Sequence, residues 1–450
     1  MRFEARDSHV PHILLVNPWI HDFAAYDVWA KPYGLLSLTA QLRAWGLRVS
    51  YIDCLDRFHP RMPPADPAAR HGRGPYLKTR IPNPKGLESI ARTYSRYGIQ
   101  PEWLRADLAA LPAPDLILVT SLMTYWYPGV FETIRELKAA FPKAPLVLGG
   151  IYARLCSDHA HQHSGADQVV VDRGESLAAL VKTHTGWEDK GATDIDDLDR
   201  LPYPAFDLQR RIPYIPLLSA RGCPFDCAYC ASRLLEPVRR RRLPESVLAE
   251  ILFWHERHGV ADFAFYDDAL LVDARRHALP LLEEIVRSGR KLYFHTPNAL
   301  HIREITAEAA ELMFRAGFHT LRLGLETTAF EAREELDHKV TEEEFRQAVG
   351  YLRAAGFSAD QVGAYLLVGL PGQSVAAVEH SIRVVQTAGI APILAHYTPI
   401  PGTRLWPAAV AASRYDLAAD PVFTNNAIFP CSREDFSWPA LSRLKHMARI

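Results

Sequence analysis

Three cysteines stand close together in Leu218-Ser-Ala-Arg-Gly-Cys-Pro-Phe-Asp-Cys-Ala-Tyr-Cys230, with three residues between Cys223 and Cys227 and two between Cys227 and Cys230. Three thiolates from one loop can hold three corners of a cubane iron-sulfur cluster. A four-cysteine site saturates every iron and suits electron transfer, whereas three leave one iron open to a small molecule. The same spacing fits a structural zinc site if a fourth ligand such as His255 or His258 joins it. Cys54, Cys156 and Cys431 stand singly, which is no disulfide framework, and are expected to be buried free thiols.

The elements that must position this loop follow from apolar periodicity. From residue 216 onward strand and helix alternate about six times. Candidate strands cover 216–220, 262–266, 291–295, 320–325, 362–368 and 393–398, with helices at 245–258, 275–288, 307–316, 342–355 and 375–388. Six such units predict a partial (β/α)6 TIM-type barrel whose chemistry clusters at the carboxyl ends of the strands. The cysteine loop follows the first strand. Asp267-Asp268 follow the second, Gly324-Leu-Glu326 end the fourth, and Gly369-Leu-Pro371-Gly372 follow the fifth. Taken singly, each of these reads equally as a capped strand end.

The first half has a different rhythm. Short Val/Ile/Leu strands at 12–16, 48–52, 116–120, 145–148 and 168–171 alternate with helices such as 35–45 and 131–141. Continuous apolar strands separated by helices predict a doubly wound, Rossmann-like parallel sheet covered on both faces. Its ligand face is the carboxyl edge, marked by Asn17, Asp53, Thr120-Ser121, Gly149-Gly150 and Asp172 to Glu175. Prolines and basic residues crowd 55–114, a long insertion with little regular structure, either a lid over the active face or a solvated excursion. Trp19, Trp29, Tyr125 and Trp126 line a pocket or simply pack. The domains are therefore 11–185, an acidic and Pro-rich linker at 186–215, the barrel at 216–405 and a motif-free segment at 406–450.

The C-x3-C-x2-C loop, the ordered strand-end motifs and the segments Lys31-Pro-Tyr-Gly, Leu148-Gly-Gly-Ile-Tyr and Gly165 to Glu175 together resemble the radical SAM proteins that carry a cobalamin (B12)-binding domain. The resemblance implies a 4Fe-4S cluster on Cys223, Cys227 and Cys230. It implies S-adenosylmethionine near Tyr229, Asp267, Asp268, Gly324, Glu326, Gly369, Pro371 and Gly372, and cobalamin near Thr120, Ser121, Gly149 and Gly150. It further implies reductive cleavage of S-adenosylmethionine for radical methyl transfer to an unactivated carbon. The alternatives are a rearrangement or cyclisation with the same cofactors, or a non-catalytic cobalamin or metal sensor. One departure from the cobalamin pattern is plain: D-x-H-x-x-G is absent, and His21 in Asn17-Pro-Trp-Ile-His21 lacks its spacing, so the lower axial ligand is open.

Composition bounds the partners. A net charge of -1, with 23% charged and 48% hydrophobic residues, gives no sign of nucleic acid or an anionic membrane. The N-terminal Met1 to Ser8 reads as no signal-peptide core, and no apolar run approaches 18 residues, so a soluble, cytoplasmic protein is expected. The substrate class is a small molecule or peptide, and the resemblance adds a reducing partner such as flavodoxin or ferredoxin.

Overall fold

The computed structural model describes residues 10–188, 194–332, 336–433 and 435–449; the N-terminal reading at Met1 to Ser8 and part of the linker, 189–193, lie outside them. Two compact units emerge: one of residues 10–27, 31–67 and 74–212, the other of residues 28–30, 68–73 and 213 onward.

The first unit is built on β1 (His12–Asn17), β2 (Arg48–Asp53), β3 (Leu116–Val119), β4 (Leu146–Leu148) and β5 (Gln168–Val169), all parallel in the order β2-β1-β3-β4-β5. Every residue of β1 is buried because alternate side chains serve opposite layers. Leu14 and Val16 pack with α2 (Pro101–Ala109) and α3 (Tyr127–Ala140), while Ile13 and Leu15 pack with α1 (Tyr33–Ala44) and α4 (Leu177–Thr185). The doubly wound expectation holds. Strand order reverses between β1 and β3, which makes their carboxyl ends the crevice where such sheets take ligands.

The stretch expected to be irregular is better ordered than its prolines suggest. Lys78–Arg80 and Ser95–Tyr97 join Ile20–Asp22 in a small antiparallel sheet. The end of the stretch is α2, which begins on Pro101, a position where the missing N–H costs nothing. Its apolar stripe is only Leu104 and Leu108, both buried, too short to stand out in sequence. The acidic and Pro-rich segment is likewise no free linker up to Ile212: Phe206 is fully buried, Ala205 N donates to Leu36 O, and Arg43 pairs with Asp207 at 2.7 Å.

The second unit has six parallel strands in chain order, β6 (Ile215–Leu217), β7 (Asp262–Phe265), β8 (Tyr293–His295), β9 (Phe318–Glu326), β10 (Val362–Val368) and β11 (Ala391–His396). Helices α5 (Pro244–His258), α6 (Ala278–Ser288), α7 (Ala307–Ala316), α8 (Glu342–Ala354) and α9 (Val375–Thr387) alternate with them. This is the partial barrel. Gly259, Gly289 and Gly317 end α5, α6 and α7 in the left-handed region, and Thr306, Thr341 and Ser374 cap the starts of α7, α8 and α9. The C-terminal segment packs on the barrel through Ala409, Leu417 and Cys431 against Leu367, Leu370 and Tyr397. Among the described residues no helix is long and apolar enough to cross a membrane.

In the first unit, β3 and β4 are welded at their carboxyl ends. A Cβ on Gly150, whose φ is +96°, would fall 2.3 Å from Ser121 O, whereas one on Gly149 meets nothing nearer than Val170 O at 3.9 Å. Gly150→Ala is therefore expected to destabilise the apoprotein by roughly 3 kcal/mol or more in urea denaturation. Gly149→Ala should change it by less than about 1 kcal/mol. Equal effects would contradict this account.

Candidate functional site

The cysteine loop leaves the carboxyl end of β6 through a short antiparallel pairing of Ala220–Arg221 with Arg240–Arg241. It is clamped from two later segments: Ala228 N donates to Leu336 O, while at 404–405 Leu405 N donates to Ala228 O and the Arg404 side chain donates through Nη2 to Asp226 O. Cys227 is buried, Cys223 is half-buried and Cys230 is exposed. Burial pushes the Cys227 thiol up to about 11 and raises Cys223, and the other cysteines' charges add to both shifts while Lys339 opposes them. Thiols whose ionisation is held back in this way, as at Cys223 and Cys227, become good ligands once a bound cation compensates them. The donor set therefore fits a metal cluster held on three sides.

The histidines of the zinc alternative stand elsewhere. His255 and His258 lie on the last turn of α5, where His255 Nδ1 faces Val260 O and His258 packs on Trp254. The histidine beside the loop is His301, which sequence reading missed. Its Nε2 lies 3.6 Å from Cys223 Sγ and its ring packs on Phe225. Burial, aided by Lys339, pushes it down to about 3, so it stays neutral.

The residues assigned to S-adenosylmethionine fall into two groups. Asp267 is turned inward: its carboxylate accepts from Ser219 N at 3.1 Å and Ser219 Oγ at 2.5 Å, and that hydroxyl also meets His277 Nε2 at 2.9 Å. It fastens β7 to the start of the cysteine loop, and the charge of its neighbour Asp268 acts on Cys223. Glu326 is also committed. It is buried beside Lys339, with Oε1 to Nζ at 3.5 Å, and Lys339 in turn donates to the Tyr229 hydroxyl at 2.7 Å. Burial would pull the Lys339 ammonium down, but the charges of Glu326 and Cys227 hold it above its ordinary value. Through Lys339, Glu326 braces the cysteine loop from the end of β9.

Gly324 sits in β9 against Ala299 and Leu300. After β10, Gln373 Oε1 accepts from Gly369 N and Leu370 N while its Nε2 donates to Leu367 O, which closes the Gly-Leu-Pro-Gly turn. Gly369 has φ +90° and abuts Phe429; Gly372 has φ +74° and open space where a side chain would stand. Pro371 is part-exposed between them.

On the sheet of the first unit, Ser121 is internal: its hydroxyl donates to Gly149 O at 2.7 Å and accepts from Ala153 N. Thr120 follows β3 at the switch point, its N–H on Val16 O. With Gly149 open, the edge fits a flat ligand laid across the ends of β1, β3 and β4. His21 does not face it as a free ligand: it is a buried strand residue with Nε2 at 2.7 Å from Glu132. Trp19, Trp29 and Tyr125 are almost fully buried and serve packing; Trp126 Nε1 donates to Asp22.

Two family models match, the Radical SAM superfamily over residues 217–385 and the B12 binding domain over residues 94–182. The chain carries a radical SAM domain and a B12-binding domain. Its cofactors are accordingly a 4Fe-4S cluster, S-adenosylmethionine and cobalamin. An uncharacterized methyltransferase of Pyrococcus horikoshii is 27% identical over 228 residues, 48% of each chain. The anaerobic magnesium-protoporphyrin IX monomethyl ester cyclase of Cereibacter sphaeroides is 25% identical over 65% of this chain and 53% of its own. The present chain thus spans about half the length of these relatives. Among solved structures the radical S-adenosylmethionine methyltransferase TsrM of Kitasatospora setae shares the fold, with a TM-score of 0.66 at 17% identity over 90% of this chain and 77% of that one.

In the radical SAM domain the internal carboxylate has a measurable signature. Burial pushes Asp267 up to about 6, with hydrogen bonds from Ser219 opposing the shift. An exposed aspartate titrates near about 4. The folded carboxyl holds its proton more tightly, so stability is greatest below about 4 and is lost as pH rises through about 6, by roughly 3 kcal/mol in all. Urea denaturation of the apoprotein against pH should show this fall relative to Asp267→Asn, which lacks the step. Parallel profiles would refute it.

Proposed function

We propose that the protein catalyses radical methyl transfer to an unactivated carbon of a small molecule or peptide. The observation that supports this most directly is the set of three thiols on the loop after β6, in a chain that also carries a B12-binding domain. When bound, the cluster would supply the electron for reductive cleavage of S-adenosylmethionine, and cobalamin would supply the methyl group. Cys223, Cys227 and Cys230 hold the cluster. Lys339, Glu326 and Tyr229 brace their loop, and Asp268 offers the carboxylate for the methionyl ammonium. The Gly369 to Gly372 turn and Gly324 let main chain approach the nucleoside, and Thr120, Gly149 and Gly150 line the edge for cobalamin. Protein groups orient and exclude water rather than trade protons with the substrate. A reductant such as flavodoxin or ferredoxin supplies electrons, in a reducing compartment such as the cytoplasm.

The likeness to a named cyclase supports a second reading, bond formation within the substrate without methyl transfer. Product analysis separates the two. After anaerobic reconstitution the protein should bind about four irons, and Cys223→Ala should lose them. With reductant and cobalamin, methyl transfer yields both 5'-deoxyadenosine and S-adenosylhomocysteine and a substrate heavier by one methylene. 5'-Deoxyadenosine without S-adenosylhomocysteine would favour cyclisation. A loaded protein that never cleaves S-adenosylmethionine under reduction would sink both.

A further inference from the structure

Within the second unit, at the end of β7 opposite Asp267 and Asp268, three side chains from distant parts of the chain converge. Asp262 opens β7 and His295 closes β8, while His71 comes from the 68–73 segment that packs with this unit. Phe294 stacks with Phe263 and Phe318 on one face of the sheet, so the alternation turns His295 to the other. His71 Nδ1 lies 2.7 Å and His295 Nε2 3.0 Å from the same oxygen, Asp262 Oδ1. The three ligand atoms all lie within 4.8 Å of one another.

The surroundings hold these atoms in place. His295 Nδ1 meets Thr320 Oγ1 at 3.1 Å, and Trp29 stacks on the His295 ring at 4.2 Å. Trp29 Nε1 donates to His71 O, which fixes the segment carrying the third ligand, and Arg70 and His71 both adopt the left-handed backbone region that non-glycine residues avoid. A metal-binding histidine needs its second nitrogen engaged in this way, so that the ring is oriented and the coordinating lone pair is free. His71 remains part-exposed and gives an ion a path from solvent; His295 is fully buried.

We propose that His71, Asp262 and His295 bind one divalent ion of the zinc type. Two imidazoles and one carboxylate are a borderline donor set that suits zinc and disfavours calcium and magnesium, which require oxygen ligands. Zinc bonds of about 2.0–2.2 Å in tetrahedral geometry put ligand atoms roughly 3.3 Å apart. The two nitrogen-to-Asp262 separations of 2.7 and 3.0 Å therefore need only small outward shifts, and water completes the fourth position. The ion fastens the 68–73 segment to the strands beside it. The competing account is a hydrogen-bonded staple, with both rings donating to Asp262 and no metal.

The test uses the full chain with Cys223→Ala, Cys227→Ala and Cys230→Ala, so that zinc cannot bind the cluster thiols. After exposure to zinc and gel filtration, about one zinc per chain is expected, with nitrogen and oxygen neighbours including two imidazoles in zinc-edge X-ray absorption. His71→Gln and Asp262→Asn, added separately, should each cut the affinity at least about tenfold; Asp262→Asn still accepts hydrogen bonds and so preserves a staple. A second arm keeps the cysteines: the reconstituted wild-type protein should carry zinc beside its iron, and its His71→Gln variant should lose the zinc alone. Zinc retained equally by both single variants, sulfur neighbours in the absorption spectrum, or no zinc in either arm would overturn the proposal.

Discussion

The ammonium of Lys339 is the contact on which the cysteine loop depends. Three thiols gathered on a few residues must be ionised to hold a cluster, and at Cys223 and Cys227 burial together with repulsion from neighbouring thiols works against that. Lys339 is a cation that acts against both effects at Cys223 and Cys227, and Arg239 joins it at Cys223. Lys339 cannot serve there unaided, because an ammonium buried without a partner loses its proton. Glu326 keeps it charged, and the Tyr229 hydroxyl, within the loop itself, accepts a hydrogen bond from it. Removing either member of such a buried pair leaves an uncompensated charge, at a cost of roughly 3–5 kcal/mol.

Glu326 carries the local strain of this arrangement. Its φ is +63°, and the pairing of β9 with β10 slips by one residue between Gly324 and Glu326. A bulge at a barrel rim re-aims a side chain that a regular strand would send to the other face. Here it turns a carboxylate back toward the cysteine loop. Asp267 performs a similar service at the end of β7, where its contact with Ser219 fixes the point at which the chain leaves β6. Asp267 and Glu326, two of the three acidic residues that sequence reasoning aimed at the cosubstrate, thus fix the geometry of the cysteine loop.

What sequence made legible was local. The spacing of Cys223, Cys227 and Cys230, the six-fold alternation after residue 216 and the apolar strands of the first unit are each written within a few adjacent residues, and the fold follows them. The invisible features are pairings across long separations. Lys339 lies over a hundred residues from the loop it braces, His301 over seventy from Cys223, and none of them stands in a motif. Helix α2 was hidden because its apolar stripe is two leucines beside a proline-rich run, and prolines mark a helix start as readily as a break.

The glycine pair after β4 shows how far residue type can carry an argument about function. Read as sequence, Gly149 and Gly150 both admit a flat ligand. In the folded chain Gly150 is required by Ser121, whose carbonyl occupies the space a side chain would need, and Ser121 spends its hydroxyl on Gly149 O. The open side belongs to Gly149 alone. A position that must be glycine for packing says nothing by itself about a ligand; one that is glycine where space is free is the better marker of close approach. Among the glycines that sequence reading assigned to the cofactors, Gly149 in the first unit and Gly372 in the second have room where a side chain would stand, so packing alone does not explain them.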